Sequence, residues 1–331
     1  DIIREVALTN KYDDEKRMLE ILREYVTNMK QAMIADGSTL ALSRALAYQN
    51  KISAYSEMLK RLPLYQLAAD LEEHFEEKKK DLAKKLTTLA KMVFRPENLR
   101  VDFTGDRALL PKLFEEVGKL KTLLFTDEVP KEHFVPKPVK RNEGFMEPSQ
   151  VQYVCRAGNY AKKGLAYSGS LRALKVMMGY EYLWMNVRVR GGAYGCMCGF
   201  GSTGESYFVS YRDPQLEGTV EVYKGAADFV RNFEADERTM TKYVIGAIGE
   251  IDTPFTPAAL AGFSRDCYLG NMTEEDLQKE RDELLATTPE KIRELAKHID
   301  AFMDDDCFCV VGNTGKIKEN EKMFGEIKNL F

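Results

Sequence analysis

The 331-residue sequence predicts an α+β protein made of two related domains, each with helices packed on a mostly antiparallel sheet. Three observations lead to this prediction. Stretches near the amino terminus carry apolar residues at helical spacing, short segments later in the chain alternate like strands, and one order of elements occurs twice. The length is also sufficient for about two domains, each with its own core.

The first part of the chain is predicted to be mainly helical. Residues 13–35 have apolar side chains every three or four positions, which predicts an amphipathic helix that stops at Gly37. Pro63 separates the next two predicted helices, because proline disfavours a helix interior. The further predicted elements of this part are a helix over 40–61, a helix over 64–94, a strand over 98–103 and a helix over 111–124.

Residues 126–149 contain four prolines and little periodicity, which predicts an inter-domain linker. The predicted domains are therefore 1–125 and 150–331. A helix over 170–188 is apolar almost all round, so we expect it to be buried. The other elements predicted in the second domain are strands over 151–155, 193–200, 206–211 and 307–311, a helix capped by Asp213, and a last helix over 316–330.

A weak repeat relates the two predicted domains. A Leu-Ala-Lys triplet, a strand, a glycine turn and a helix ending in Phe occur over 89–125 and again over 295–331. Either a coincidence between amphipathic segments or a duplicated α+β unit would explain this. Only a short strand-like segment, residues 2–8, precedes the helices of the first copy. We therefore expect the first domain to be truncated and to expose apolar surface.

The composition excludes several classes of partner. The net charge is −4, with both signs interspersed, which argues against a nucleic-acid surface. No apolar run approaches the roughly 18 residues of a membrane span. No targeting segment is visible, so the compartment is predicted only as cytoplasmic, with an organelle matrix as the alternative.

The histidines and cysteines do not predict a metal site in this chain. The three histidines, His74, His133 and His298, are not paired at the spacing that puts two ligands on one helix face. Two C-x-C pairs, 196/198 and 307/309, have the spacing of one strand face and are expected to be core residues. The G-x-G-x-x-G sequence over 199–204 precedes a strand-like segment, so a hairpin loop is favoured over a dinucleotide site.

The sequence Asn-Val-Arg-Val-Arg-Gly-Gly-Ala-Tyr-Gly, residues 186–195, contains the strongest candidate site residues. It predicts a helix end, a glycine turn and a strand start, which together bring Arg188 near Tyr194. A guanidinium and a neutral phenol that converge in this way could stabilise a developing oxyanion. The alternative is a surface arginine and a half-buried tyrosine that flank a turn. Arg190 is a weaker candidate and is expected to be exposed.

The segment Glu-Tyr-Leu-Trp-Met-Asn-Val-Arg-Val-Arg-Gly-Gly-Ala-Tyr-Gly (181–195), followed by Ser-Tyr-Arg-Asp-Pro (210–214), resembles the C-terminal half of the presequence-protease branch of the insulinase/pitrilysin family of zinc peptidases. The resemblance implies a duplicated metallopeptidase-like α+β unit. It also implies that Arg188 and Tyr194 contact the substrate carbonyl or its oxyanion.

The same resemblance implies a complete enzyme that is a zinc endopeptidase for short unfolded peptides. Its H-x-x-E-H motif and zinc would lie in the missing N-terminal half of the same polypeptide, so this chain would hold no metal or cofactor and would be inactive alone. The expected partners are that N-terminal half and unfolded peptides, with no nucleic acid and no membrane. The alternative is a non-catalytic superfamily member that acts as a structural or peptide-binding subunit. An unrelated binding module would require the match over 181–214 to be accidental.

Overall fold

The computed structural model describes residues 2–129 and 133–331. These residues form two compact units, which we call the helical unit and the sheet unit. The helical unit comprises the described residues of 1–31, 64–134 and 254–272, and the sheet unit comprises 32–63, 135–253 and 273–331. Residues 32–63 of the predicted first domain thus group with the sheet unit. Pro130 of the predicted linker lies outside the described residues.

The α-helices in chain order are α1 (Ile2–Leu8), α2 (Glu15–Ala35), α3 (Gly37–Ala47), α4 (Lys51–Lys60), α5 (Leu62–Glu73), α6 (Phe75–Val93), α7 (Leu110–Leu123), α8 (Ser170–Met177), α9 (Glu217–Lys224), α10 (Ala226–Arg231), α11 (Glu237–Ile251), α12 (Pro257–Leu269), α13 (Glu274–Leu285), α14 (Pro289–Glu294), α15 (Ala296–Met303) and α16 (Thr314–Glu319). A π-helix, Met178–Arg190, continues α8. The strands are β1 (Glu143–Glu147), β2 (Gln152–Asn159), β3 (Gly195–Phe200), β4 (Glu205–Tyr211), β5 (Cys307–Asn313) and β6 (Glu326–Asn329).

The amphipathic helix predicted over 13–35 is confirmed as α2. Gly37 does not end it in isolation, because Asp36 already caps α3 by accepting a hydrogen bond from the Thr39 N–H. The single helix predicted over 40–61 is two helices, α3 and α4. The helix predicted over 64–94 is likewise divided at His74 into α5 and α6. Apolar periodicity therefore located these helices but not the breaks within them.

Three predicted elements are wrong. Residues 2–8 form α1 rather than a strand, residues 98–103 form no strand, and residues 316–330 form α16 followed by β6 rather than one helix. Short alternating or apolar segments become strands only where a neighbouring strand pairs with them. Residues 98–103 have no such neighbour, so the repeated order of elements contains a strand only in its second copy.

The sheet unit contains all six strands of the described chain, in the order β3-β4-β2-β5-β1-β6. Strand β1 pairs in parallel with β5 and β6, whereas the pairs β2–β4, β2–β5 and β3–β4 are antiparallel. The predicted α+β class with a mostly antiparallel sheet is thus confirmed. Strand β1 begins at Glu143, inside the segment that was predicted to be a linker. Its side chains are largely buried, as expected for an inner strand.

Helices cover both faces of this sheet. Val154 of β2 and Phe208 of β4 belong to a core with Leu174 of α8 and Phe302 of α15. Helix α3 packs against β2 and β5. The cysteines of the two C-x-C pairs are free and are buried or partly buried, which confirms that they serve as core residues.

Helix α3 is held against the sheet by a close contact at its start. A Cβ atom at Gly37 would lie only 2.3 Å from Cδ2 of Tyr153, so the first turn of α3 rests directly on that ring. No side chain could be added here without moving the helix or the ring. Glycine therefore sets the distance between α3 and β2.

A buried charged cluster fastens the other end of α3 to β1. The Glu143 carboxylate, which is fully buried, accepts hydrogen bonds from Arg44 Nε at 2.6 Å and Nη2 at 3.0 Å. The Tyr48 hydroxyl donates at 2.7 Å and Lys328 Nζ at 3.1 Å. Arg44 also donates to Glu57 at 3.2 Å. Burial alone would raise the pKa of Glu143, but Arg44, Tyr48 and Lys328 hold that pKa below its ordinary value of 4.5.

We predict that Glu143→Gln destabilises the fold by roughly 3–5 kcal/mol at neutral pH, because Arg44 loses its buried counter-charge. Since the folded-state pKa of Glu143 is lowered, its contribution is complete above pH 4.5 and is lost as the pH falls through the folded-state pKa. Urea unfolding from pH 7 to pH 3 measures both effects. Glu326→Gln is the control, since Glu326 is an exposed partner of Lys328 and its loss should cost under about 1 kcal/mol. Equal losses for the two variants, or a pH-independent loss for Glu143→Gln, would contradict the prediction.

Candidate functional site

The helix that carries Arg188 is only partly buried. Met178, Leu183 and Val187 face the core, at intervals of four or five residues along the π-helix. The apolar residues between them, including Tyr180 and Val189, are exposed. The prediction of a helix buried all round is therefore wrong. In a π-helix, which pairs residue i with i+5, residues recur on one face less often than in an α-helix, so one apolar face is left outside the core.

A tight turn connects the π-helix to β3. The N–H of Gly192 donates to the Arg188 carbonyl at 2.9 Å, and the N–H of Ala193 donates to the Val187 carbonyl at 3.1 Å. Gly192 has a φ of +84°, which L-residues rarely adopt, and a Cβ at Gly191 would lie 2.5 Å from the Val187 oxygen. Both glycines are thus required by the turn, as the sequence predicted.

The turn brings the two predicted site residues together. The Tyr194 N–H donates to the Tyr211 carbonyl at 3.1 Å, which fixes the start of β3 against the end of β4. The Arg188 guanidinium carbon lies 5.4 Å from the centre of the Tyr194 ring and 3.9 Å from the centre of the Trp184 ring. Trp184, four residues before Arg188, therefore covers one side of its guanidinium. The Tyr194 side chain remains mostly exposed.

The stack continues beyond Tyr194. Its ring lies 5.8 Å from that of Tyr211, edge to face, and the Tyr211 ring lies 5.6 Å from that of Tyr153. The Arg212 guanidinium carbon lies 5.5 Å from the Tyr211 ring. We call this set the aromatic–guanidinium row; it consists of Trp184, Arg188, Tyr194, Tyr211, Tyr153 and Arg212.

The row presents two guanidiniums without counter-charges. Among residues 2–129 and 133–331, no carboxylate lies within 4.0 Å of a nitrogen of Arg188 or Arg212. Arginines fixed on aromatic rings keep their N–H donors for oxygen ligands. Arg190 is exposed, as predicted, and donates to Asn186 at 3.0 Å. The arrangement is therefore suited to carbonyl or carboxylate oxygens.

Sequence reasoning did not assign roles to Trp184, Tyr211, Tyr153 or Arg212. Trp184 could have been found from its position one helical turn before Arg188. Tyr211 and Arg212 lie in the second motif, but their approach to Tyr194 depends on the pairing of β3 with β4. Tyr153 comes from a different strand, β2, and has no local signal.

Two nearby predictions are settled by local geometry. The hairpin loop over 199–204 is confirmed, since it connects β3 to β4 and Gly204 has a φ of +89°. Asp213 does not cap a helix directly after itself, because α9 begins at Glu217. Its buried carboxylate instead accepts hydrogen bonds from the Gln215 N–H at 2.8 Å and from the Thr219 hydroxyl at 2.6 Å.

The described residues do not provide a zinc site. No three His, Cys, Asp or Glu side chains in that part of the chain are grouped so as to hold a metal ion. His298 is buried with Nε2 at 3.0 Å from the Ala166 carbonyl, and the side chain of His74 is half exposed beside Asp70. None of the helices among these residues combines the length and the apolar content needed to cross a membrane.

Comparison with known proteins identifies the family. The PreP C-terminal domain family matches residues 142–315, which is more than half of the chain. A second family, the associated domain of subfamily C of the M16 peptidases, matches residues 1–71. The chain belongs to the presequence-protease (PreP) C-terminal domain family. The candidate site, including the whole row, lies inside the first of these matches.

Individual relatives agree with this assignment. "Protein HypA" of Clostridium perfringens is 36% identical over 330 residues, which cover 100% of this chain and 34% of that protein. Presequence protease 1, chloroplastic/mitochondrial, of Arabidopsis thaliana is 30% identical over 334 residues, which cover 99% of this chain and 30% of that protein. This PreP C-terminal chain therefore spans about a third of the length of these relatives.

A solved structure supports the fold. The crystal structure of a conserved protein from Enterococcus faecalis V583 superposes with a TM-score of 0.54 at 16% identity, over 91% of this PreP C-terminal chain and 68% of that one. This similarity concerns the fold alone.

We predict that Gly192→Ala destabilises the chain by about 1–2 kcal/mol, because an L-residue must then adopt the left-handed conformation. Gly195→Ala is the matched control. It lies three residues away, its φ is not positive, and an added Cβ would meet nothing within 4 Å, so its effect should stay within about 0.5 kcal/mol. Urea unfolding of both variants measures the difference. Equal stabilities would mean that the turn does not require glycine at 192.

Proposed function

We propose that this chain is the metal-free C-terminal part of a zinc-dependent endopeptidase that degrades short unfolded peptides. The observation that carries the proposal is the approach of Arg188 to the ring of Tyr194 on an exposed surface of the sheet unit. The presequence-protease relatives support it, since their names describe proteases that act on presequences, which are peptide segments. Family membership as a peptidase relative stands independently of this proposal.

In the proposed mechanism, Arg188 and Tyr194 bind the substrate rather than attack it. The guanidinium, supported on Trp184, donates N–H groups to the carbonyl oxygen of the bond to be cleaved. The Tyr194 hydroxyl donates to the same oxygen or to a neighbouring one. Both hydrogen bonds strengthen as negative charge develops on that oxygen, so they favour the transition state over the bound substrate.

We place the zinc ion in the N-terminal half of the same polypeptide, since the described side chains of this chain do not fit a metal. That half and unfolded peptides are the proposed partners, without nucleic acid or membrane. We propose a cytoplasmic location, with an organelle matrix as the alternative. The names of the presequence-protease relatives favour the organelle, whereas the Clostridium perfringens relative is bacterial.

In the full-length enzyme, Arg188→Ala or Tyr194→Phe should lower kcat by roughly 10²–10³ and raise KM less, because the lost hydrogen bond is strongest in the transition state. Steady-state cleavage of a fluorogenic peptide measures both constants. Arg238→Gln, which replaces an exposed arginine in the first turn of α11, is the control and should leave both constants unchanged. A change of less than threefold in kcat/KM for both site variants would show that Arg188 and Tyr194 are not part of the mechanism.

The isolated 331-residue chain should neither cleave peptides nor bind zinc stoichiometrically. Metal analysis of the purified chain, together with the fluorogenic assay, tests this expectation. One tightly bound zinc per chain, or cleavage that a chelator stops, would contradict it. An upstream sequence without H-x-x-E-H would instead favour the non-catalytic, peptide-binding alternative.

A further inference from the structure

We propose that Arg212 binds a carboxylate of the peptide substrate and thereby sets a preference for acidic groups near the cleaved bond. This inference rests on the proposed function, because it assigns a second contact to the same peptide. The carboxylate has two possible sources, an Asp or Glu side chain and the free C-terminus of the peptide. Both present the pair of oxygens that a guanidinium binds with two parallel hydrogen bonds.

The backbone at Arg212 separates two opposite charges that are adjacent in sequence. Arg212 has a φ of +48°, a conformation that non-glycine residues rarely adopt. Hydrogen bonds on both sides hold it there, from the Tyr194 N–H to the Arg212 carbonyl at 3.3 Å and between Gln152 and Asp213 at 2.7 and 2.8 Å. As a result Arg212 is exposed whereas Asp213 is fully buried.

Asp213 therefore does not neutralise Arg212. Both of its carboxylate oxygens are already used, one by the Gln215 N–H and the other by the Thr219 hydroxyl. An unusual backbone conformation that is held in this way is typical of positions where the direction of a side chain matters. Here it leaves a cation at the surface and turns its nearest anion inward.

The Arg212 side chain is also positioned before any ligand binds. Its guanidinium carbon lies 5.5 Å from the centre of the Tyr211 ring, and the guanidinium hydrogen-bonds to the Tyr153 hydroxyl. Tyr153 is itself immobilised beneath Gly37 of α3. Since the phenol occupies only part of the five N–H donors of an arginine, donors remain for a bidentate carboxylate. A side chain that is already ordered loses less entropy when it binds.

The row sets the distance from Arg212 to the proposed catalytic contacts. Steps of 5.4, 5.8 and 5.5 Å connect the Arg188 guanidinium to that of Arg212 through the rings of Tyr194 and Tyr211. The two guanidiniums are therefore separated by at most about five residues of extended peptide, at roughly 3.3–3.6 Å per residue. The preferred carboxylate should lie within that distance of the cleaved bond.

The test uses the full-length protein and two sets of otherwise neutral peptides. In the first set, Glu or Gln is placed at each position within about five residues of the cleavage site. In the second set, the same short peptide carries a C-terminal carboxylate or an amide. Wild-type protein, Arg212→Gln, Arg212→Lys and the control Arg238→Gln are compared by Kd and by kcat/KM.

Arg212→Gln should weaken binding of the carboxylate peptides by roughly 10- to 100-fold, because a hydrogen-bonded charge pair is lost. It should leave the Gln and amide peptides within twofold, as a check on folding, and Arg212→Lys should retain part of the effect. The set that responds identifies the source of the carboxylate. An equal loss on charged and neutral peptides, or no loss on either, overturns the inference.

The two proposals can fail separately. Arg188→Ala should lower kcat on every peptide of both sets, whatever its charge. If Arg188→Ala has no effect while Arg212→Gln discriminates by Kd, the proposed mechanism fails and the carboxylate contact stands. If Arg188→Ala lowers kcat while Arg212→Gln does not discriminate, the contact fails and the mechanism stands.

Discussion

The sheet unit depends on the buried pairing of Arg44 with Glu143. A carboxylate at the centre of the inner strand β1 cannot remain charged without partners, and its partners come from α3, α4 and β6. The same helix rests its first turn on Tyr153 through Gly37. The charge pair and the glycine contact together fix both ends of α3, and Tyr153 in turn supports the far end of the aromatic–guanidinium row. The interior of the unit and its candidate site are therefore mechanically connected.

The π-helix explains why the site is at the surface at all. An α-helix with this composition would bury most of its apolar residues. The wider π repeat keeps Leu183 and Val187 in the core and leaves Trp184 beside Arg188 outside it. π-Helical segments are uncommon and occur often at functional sites, so the position of this one at the strongest sequence motif is consistent with a binding role.

Features that depend on local chemistry could be predicted from the sequence. They include α2, the hairpin loop over 199–204 and the glycine turn that joins Arg188 to Tyr194. Features that depend on distant partners could not. The assignment of residues 32–63 to the sheet unit rests on a contact between residues 99 positions apart, Arg44 and Glu143. The row required the register of β3, β4 and β2, which no local pattern encodes. Residues 98–103 failed for the same reason, since alternation alone does not supply a neighbouring strand.

Trp184 is the single tryptophan of the chain, and it lies 3.9 Å from the cation that the proposed substrate would engage. Indole emission responds to the charge and solvent beside the ring. The intrinsic fluorescence of this chain therefore originates entirely from its candidate site, against no background from other tryptophans. The molecule carries a built-in optical probe, through which occupancy of the Arg188 surface can be followed in real time without a label.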